Sequence, residues 1–360
     1  MRLFQNFTYY PSYQQRLRRL ASNAVTFQQQ LQIFLDDRYG ASHVLLPVTR
    51  ADPDVFFTNW DDEFLQRAWA REAGLAKRVS LEEILLAQIE AHRTEVFYNI
   101  DPVRLDNGFL ERLPGCVKRS IAWRAAPSSN ADFSKYDLVV CNFPGILADM
   151  SRRGYRTAYF ALSHDPVMDR FAANSERPID VLFVGGYSRH HMRRAEILNA
   201  VAGMAGDLEI VFHLDPSRLS RLAESPIGLL PPLARHRRPQ IVRSISRPPA
   251  FGLDLFSVLS QAKIVLNGAI DMSGNERGNM RCFESMGCGA LLLSDEGKYP
   301  DGMVPGSTLI TYGSPADVVA QVRRLLADGN HREAIAREGH RMVSTDYSKE
   351  IQWRRFQELL

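Results

Sequence analysis

The stretch 179–198 reads IDVLFVGGYSRHHMRRAEIL, and its pattern decides the architecture. Val181 to Val184 form an apolar run of the kind found in strands covered on both faces. Gly185 and Gly186 follow at once, and Ser188, Arg189, His190, His191 and Arg193 lead into helical periodicity near 190–203. A buried strand, a glycine turn and a helix in that order predict one half of a βαβ unit. The glycines let a ligand approach the backbone, and the helix start offers N–H groups without intrahelical partners. With Ser188, Arg189, Arg193 and Arg194 beside it, the turn reads as a seat for a diphosphate. It reads equally as a strand-to-helix connection that needs glycine for its conformation, and it is not the G-x-G-x-x-G of dinucleotide sites.

Apolar runs alternate with helical periodicity on both sides of this stretch, which predicts parallel sheets with crossover helices. Before it, strands are expected near 3–8, 43–47, 55–58, 96–99, 120–125, 138–142 and 157–162, with helices around 12–38, 62–73, 80–93, 106–113 and 145–153. After it, strands are expected near 181–184, 209–213, 240–243, 264–266, 290–294 and 308–312. The matching helices fall near 217–223, 253–261, 280–287, 315–327, 330–344 and 347–359. A chain of 360 residues exceeds the size at which one core keeps growing. The polar, proline-bounded HDPVMDRFAANSERP marks the division, giving an α/β fold of two Rossmann-like domains facing a cleft. The domains are expected at 1–170 and 171–345, with 346–360 as a terminal helix returning to pack on the first.

A formal charge of +3 is too balanced for a dedicated nucleic-acid binder, so no nucleic-acid partner is expected. Arg235, His236, Arg237 and Arg238 form a local basic group that reads as a solvated loop or a phosphate contact. The four cysteines, at 116, 141, 282 and 288, make no metal spacing and suit a reduced, cytoplasmic protein. MRLFQNFTYY lacks the pattern of a signal peptide, and no apolar run approaches the roughly 18 residues needed to span a bilayer. Arg16, Arg18 and Arg19 near one helix are compatible with peripheral contact at the inner face of a membrane, or with a helix that merely packs on the sheet.

The second informative stretch is NERGNMRCFESMGCGALLLSD, residues 275–295. Glu276 and Glu284 stand eight residues apart, the first in a glycine-containing loop and the second in a short helix, so both can face one side. A carboxylate accepts two hydrogen bonds from a vicinal diol, so such a pair suits a hydroxyl-rich ligand such as a ribose, although a solvated helix face has the same pattern. Arg281, three residues before Glu284, either supplies a phosphate donor beside that acceptor or forms an internal salt bridge. Asn279 reads as a ligand or as the helix cap. His164, ahead of Asp165 and Pro166, reads as a general base or as a strand-ending turn, and His213 ends a second-half strand. Asp52 and Asp54 flank Pro53 and read as a turn, so no metal site is expected. No G-x-S-x-G elbow or G-x-x-x-x-G-K-[ST] loop occurs.

These residues, in this order, resemble the bacterial CgeB-like (spore-maturation type) glycosyltransferases, relatives of the glycosyltransferase group 1 enzymes of the GT-B fold. The resemblance runs from YDLVVCNFPGILADMSRRGYRTAYFALSHDP through DVLFVGGYSRHHMRRAEIL and FSVLSQAKIVLNGAI to NMRCFESMGCGALLLSD and the carboxyl-terminal helices. It implies a metal-independent glycosyltransferase that moves a sugar from a nucleotide-diphosphate donor, with no further cofactor, to a glycan, lipid-linked saccharide, protein or small-molecule acceptor. Glu284 would hold the donor ribose, Glu276 would meet the donor sugar, and Gly185 and Gly186 with Ser188, Arg189, Arg193, Asn279 and Arg281 would seat the nucleotide. The second domain would bind the donor and the first the acceptor, with retention of anomeric configuration expected from the E-x7-E pattern. The first-domain His of many group 1 relatives is missing from SIAWRAAPSSN, and His164 stands in as the catalytic candidate. An epimerase or hydrolase of nucleotide sugars, or a catalytically silent partner in polysaccharide assembly, would share the scaffold. The sequence leaves the oligomeric state open.

Overall fold

The computed structural model describes residues 1–187, 192–229, 231–234, 236–268 and 274–360. The chain divides into two compact units, Met1–Ser163 with Lys349–Leu360, and His164–Ser348.

The first unit is built on β1 (Leu3–Phe7), β2 (Val55–Asn59), β3 (Val96–Asn99), β4 (Arg119–Trp123), β5 (Leu138–Cys141) and β6 (Thr157–Tyr159). They form one sheet in the order β2-β1-β3-β4-β5-β6, and every adjacent pair is parallel. The second unit is built on β7 (Ile179–Gly185), β8 (Ile210–Leu214), β9 (Ser246–Arg247), β10 (Ala262–Leu266), β11 (Leu291–Asp295) and β12 (Ile310–Tyr312). Its order is β12-β11-β10-β7-β8-β9, again all parallel. Two Rossmann-like sheets with crossover helices thus realise the α/β class expected from the alternating pattern.

The apolar runs explain why these segments pair. All five residues of β11 are buried, as parallel strands covered on both faces require. Val181, Phe183, Ile264, Leu291 and Leu293 pack with Leu198, Val201, Val318 and Val322 from flanking helices. Each such side chain contributes about 1.5–3 kcal/mol through burial. In the first unit Phe4, Phe97, Leu85, Ile89 and Phe109 form the equivalent cluster. The helix Lys349–Gln357 belongs to that unit. Its buried Lys349 donates to Ala41 O at 2.8 Å, Val44 O at 2.7 Å and Ser163 Oγ at 3.2 Å.

Three expected elements differ. The helix expected over 12–38 is two, Pro11–Leu20 and Phe27–Asp36. Thr26 N donates to Gln29 Oε1 and Gln29 N donates to Thr26 Oγ1, each at 3.2 Å, a capping box that starts a new helix. The run 43–47 is no strand but a turn leading into the short helix Leu46–Thr49. Buried Gln5 replaces a strand neighbour there, donating to His43 O at 2.8 Å and accepting from Leu45 N at 3.0 Å. Residues 240–243 lie in the helix Gln240–Ser244, which begins after Pro239, and the sheet edge is taken by β9 instead. A short apolar run does not by itself separate strand from helix, and Pro239 takes the N-cap position at which this helix starts.

The strand orders locate the sites. In the second unit the connections from β7 run first to β8 and later to β10, on its two sides, so the order reverses between β7 and β10. Open parallel sheets bind ligands beyond the carboxyl ends of the strands at such a point.

Candidate functional site

The carboxyl ends of β7, β8, β10 and β11 gather most of the polar residues singled out in the second half of the sequence. Gly185 ends β7 beside Leu214, one residue beyond the pairing of Val184 with His213. A Cβ on Gly186 would meet nothing within 4 Å among the described residues. The helix Met192–Ala202 follows, and two of its arginines brace neighbouring strand ends. Arg193 Nη2 donates to Gly313 O at 3.2 Å, and Arg194 donates to Gly268 O. Ser188, Arg189, His190 and His191 lie outside the described residues.

After β10, Asn267 organises the next layer. Its Nδ2 donates to Ser294 Oγ at 3.1 Å, its Oδ1 accepts from Asn279 Nδ2 at 3.2 Å, and its carbonyl accepts from Tyr312 Oη at 2.6 Å. Asn279 therefore spends its side chain on Asn267. It stands at the N-cap position of the helix Met280–Gly287 without a side-chain capping bond. The thiol of Cys282 donates to Asn279 Oδ1 at 3.3 Å, and burial pushes its pKa up to about 12, so it stays a donor.

That helix ends in a Schellman motif. Gly289 N donates to Met286 O at 2.9 Å and Ala290 N to Ser285 O at 3.0 Å. Gly289 takes φ 72°, which lets the chain turn straight into β11. The helix is thereby fixed at its end, and its one buried acid, Glu284, is held in a defined place. Glu284 is 3% exposed, and Arg281 Nη1 donates to its Oε2 at 2.8 Å. Burial raises the Glu284 pKa, and the Arg281 guanidinium opposes that rise. His213 completes this side. Burial first, and then Arg247 and Arg281, hold its pKa low against the opposing pull of the Pro248 carbonyl, 2.6 Å from Nδ1. The neutral ring keeps its proton on Nδ1 and leaves Nε2 as an acceptor.

Glu276 occupies a half-buried position in the loop before Asn279 and pairs in parallel with Lys298. The loop is anchored by the neighbouring Arg277, whose Nη2 lies 2.7 Å from Asp295 Oδ2 in a buried ion pair. Spacing alone does not single out Arg277, Asp295 or Asn267 for the site. For Asn267 and Asp295 the available signal is a polar residue at the end of an apolar strand, as in KIVLN and LLLSD.

His164 is not gathered with these residues. It is 2% exposed and its Nε2 lies 2.8 Å from Asp169 Oδ1, with His340 Nε2 3.6 Å from the same oxygen. A Cβ on Gly287 would stand 3.0 Å from His164 Nδ1, which puts the imidazole at the far end of the Met280–Gly287 helix. Arg281 lies six residues earlier, about 9 Å along the axis. Burial lowers the His164 pKa, with Asp169 opposing. Asp52 accepts from Asp54 N at 3.0 Å, a local turn around Pro53.

Residues 234–358 match the family described as glycosyl transferase-like. No curated protein matches the sequence. Among solved structures, HepE from Anabaena, in complex with UDP and glucose, is similar over 100% of this chain and 99% of that one, at 11% identity and a TM-score of 0.58. Sucrose-phosphate synthase from Thermosynechococcus elongatus covers 99% and 97% at 13% identity and 0.55. A glycosyltransferase from Rickettsia africae covers 99% and 97% at 10% identity and 0.54. At these identities the likeness establishes the fold, the two-Rossmann GT-B type.

Proposed function

We propose that the chain is a glycosyltransferase whose second unit binds a nucleoside-diphosphate sugar and whose first unit receives the acceptor. The observation that carries this reading is the Arg281–Glu284 pair, at 2.8 Å, on a helix starting beside the β7–β10 switch point. A half-shielded cation next to a buried carboxylate suits a ligand that joins phosphate to a ribose diol. The glycosyl transferase-like match over 234–358 includes both residues, and the similarly folded HepE holds UDP and glucose in its complex.

In this proposal Gly185 and Gly186 admit the diphosphate to the backbone at the end of β7. Glu284 accepts from the ribose hydroxyls, and Glu276 orients the donor sugar. As the bond from sugar to diphosphate breaks, negative charge grows on the leaving oxygen. Arg281 and the N–H groups at the start of the Met280–Gly287 helix stabilise that charge, the task a divalent cation performs in other transferases. Ser188, Arg189 and Arg193 remain candidates for the same diphosphate. Retention of the donor's anomeric configuration is the proposed stereochemical outcome. Four free cysteines, three of them buried, suit a reducing cytoplasm, and among the described residues no helix is long and apolar enough to cross a membrane.

The test is a thermal-shift screen of nucleoside diphosphates on the wild type and on Glu284→Ala. A ligand at 100 times its Kd stabilises the folded state by about 2.7 kcal/mol. One nucleotide should raise the melting temperature of the wild type and not of the variant. No response to any nucleotide would overturn the donor site, and UDP-glucose hydrolysis that no sugar acceptor accelerates would favour a hydrolase.

A further inference from the structure

Among the described arginines of the second unit, Arg277 combines a buried ion pair with two loop carbonyls. Its side chain is 5% exposed and its Nη2 pairs with Asp295 Oδ2 at 2.7 Å, at the carboxyl end of β11. Its Nη1 donates to Gly274 O and to Glu276 O, each at 3.0 Å. One planar guanidinium therefore ties a strand end to two carbonyls of the loop that carries Glu276. The backbone repeats the attachment, since Arg277 N donates to Lys298 O at 2.8 Å and Lys298 N to Asn275 O at 2.7 Å. Gly297 admits the approach, because a Cβ there would lie 2.6 Å from Asn275 O and 2.8 Å from Arg277 Cγ. Tyr299 Oη donates to Asp295 O at 2.6 Å and fixes the strand end itself.

We propose that Arg277, through Asp295, is the positioning residue for Glu276, setting where its carboxylate stands relative to the bound donor sugar. The inference rests on the proposed role of Glu276 in sugar transfer, whereas the clamp on residues 274–278 is a property of the fold. A desolvated charge pair is a costly way to hold a loop, since both ions leave water, and its worth lies in geometry. The guanidinium fork fixes two carbonyls at once. A lysine at 277 keeps the charge toward Asp295 but cannot hold both carbonyls in a fixed plane. Displacing a catalytic group by about 1 Å costs up to roughly 100-fold in rate.

The test uses full-length Arg277→Lys and Asp295→Asn, each carried through three measurements. Amide hydrogen exchange should rise in 274–278 and 297–299 and stay unchanged in the Met280–Gly287 helix. Affinity for UDP should stay within about twofold of wild type, while slow hydrolysis of UDP-glucose, in which glucose passes to water in place of the acceptor and UDP leaves, should lose roughly 10- to 100-fold in kcat with little change in KM. Glu276→Gln combined with Arg277→Lys should be no slower than the slower single variant, because both remove one function. Unchanged exchange in 274–278, fully additive rate losses, or a UDP affinity as weak as that of Glu284→Ala would each overturn the assignment. If the wild type neither binds UDP nor hydrolyses UDP-glucose, the proposed function fails with that donor, and the exchange pattern alone decides the clamp. Should Arg277→Lys fail to fold, Asp295→Asn carries the same readouts.

Discussion

Breaking the Arg281–Glu284 pair from its two ends should cost unequal amounts, because the partners are unequally buried. The Arg281 side chain is 17% exposed and that of Glu284 is 4% exposed. Arg281→Met leaves a carboxylate with almost no access to water, whose pKa burial already raises. Orphaning a buried charge costs about 3 kcal/mol at the lower end of measured cases. Glu284→Gln leaves a guanidinium that can turn toward solvent and keeps an amide in the same volume, a loss of about 1 kcal/mol. The double variant removes both charges and should lose about 2 kcal/mol, giving a coupling of about 2 kcal/mol. At roughly 2–4 °C per kcal/mol for a unit of this size, Arg281→Met should melt about 6–12 °C lower and Glu284→Gln about 2–4 °C lower. Urea denaturation of the four proteins at pH 7.5 measures the cycle. Equal losses from the two single variants, or a coupling near zero, would refute the reasoning that burial of Glu284 makes Arg281 its obligatory partner.

The other predictions concern pH and backbone geometry. Burial first and Lys349 second hold the His43 pKa down at about 3. An unfolded histidine binds its proton near 6.5, so the unfolded state holds more protons below that value and stability falls as pH drops toward 3. His43→Gln should flatten the fall in melting temperature between pH 6.5 and 4, and an unchanged slope would show that other groups govern it. Gly289→Ala should cost about 2–3 kcal/mol, since φ is 72° and the new Cβ would sit 3.0 Å from Ala172 Cα. Gly274→Ala, at φ 57° with nothing within 4 Å among the described residues, should cost about 1 kcal/mol, and equal losses in chemical denaturation would refute the close-approach argument.

Periodicity in the sequence determined the two parallel sheets, because strands covered on both faces must be apolar throughout and crossover helices must show a 3.6-residue stripe. Local chemistry carried the glycine turn after β7 and the Arg281–Glu284 spacing, since both depend on neighbours within one turn. Tertiary structure decided the rest. Only the folded chain shows that 43–47 is satisfied by the side chain of Gln5 and that 240–243 winds helically after Pro239. Only the folded chain places His164 against Gly287, at the opposite end of the Met280–Gly287 helix from Arg281. The Asp295 that fixes the Glu276 loop stands 18 residues from its partner Arg277, at the end of the strand LLLSD. Spacing reads contacts made along a helix or strand, where geometry repeats. Contacts made across a sheet depend on which strands become neighbours, and burial decides that over the whole unit.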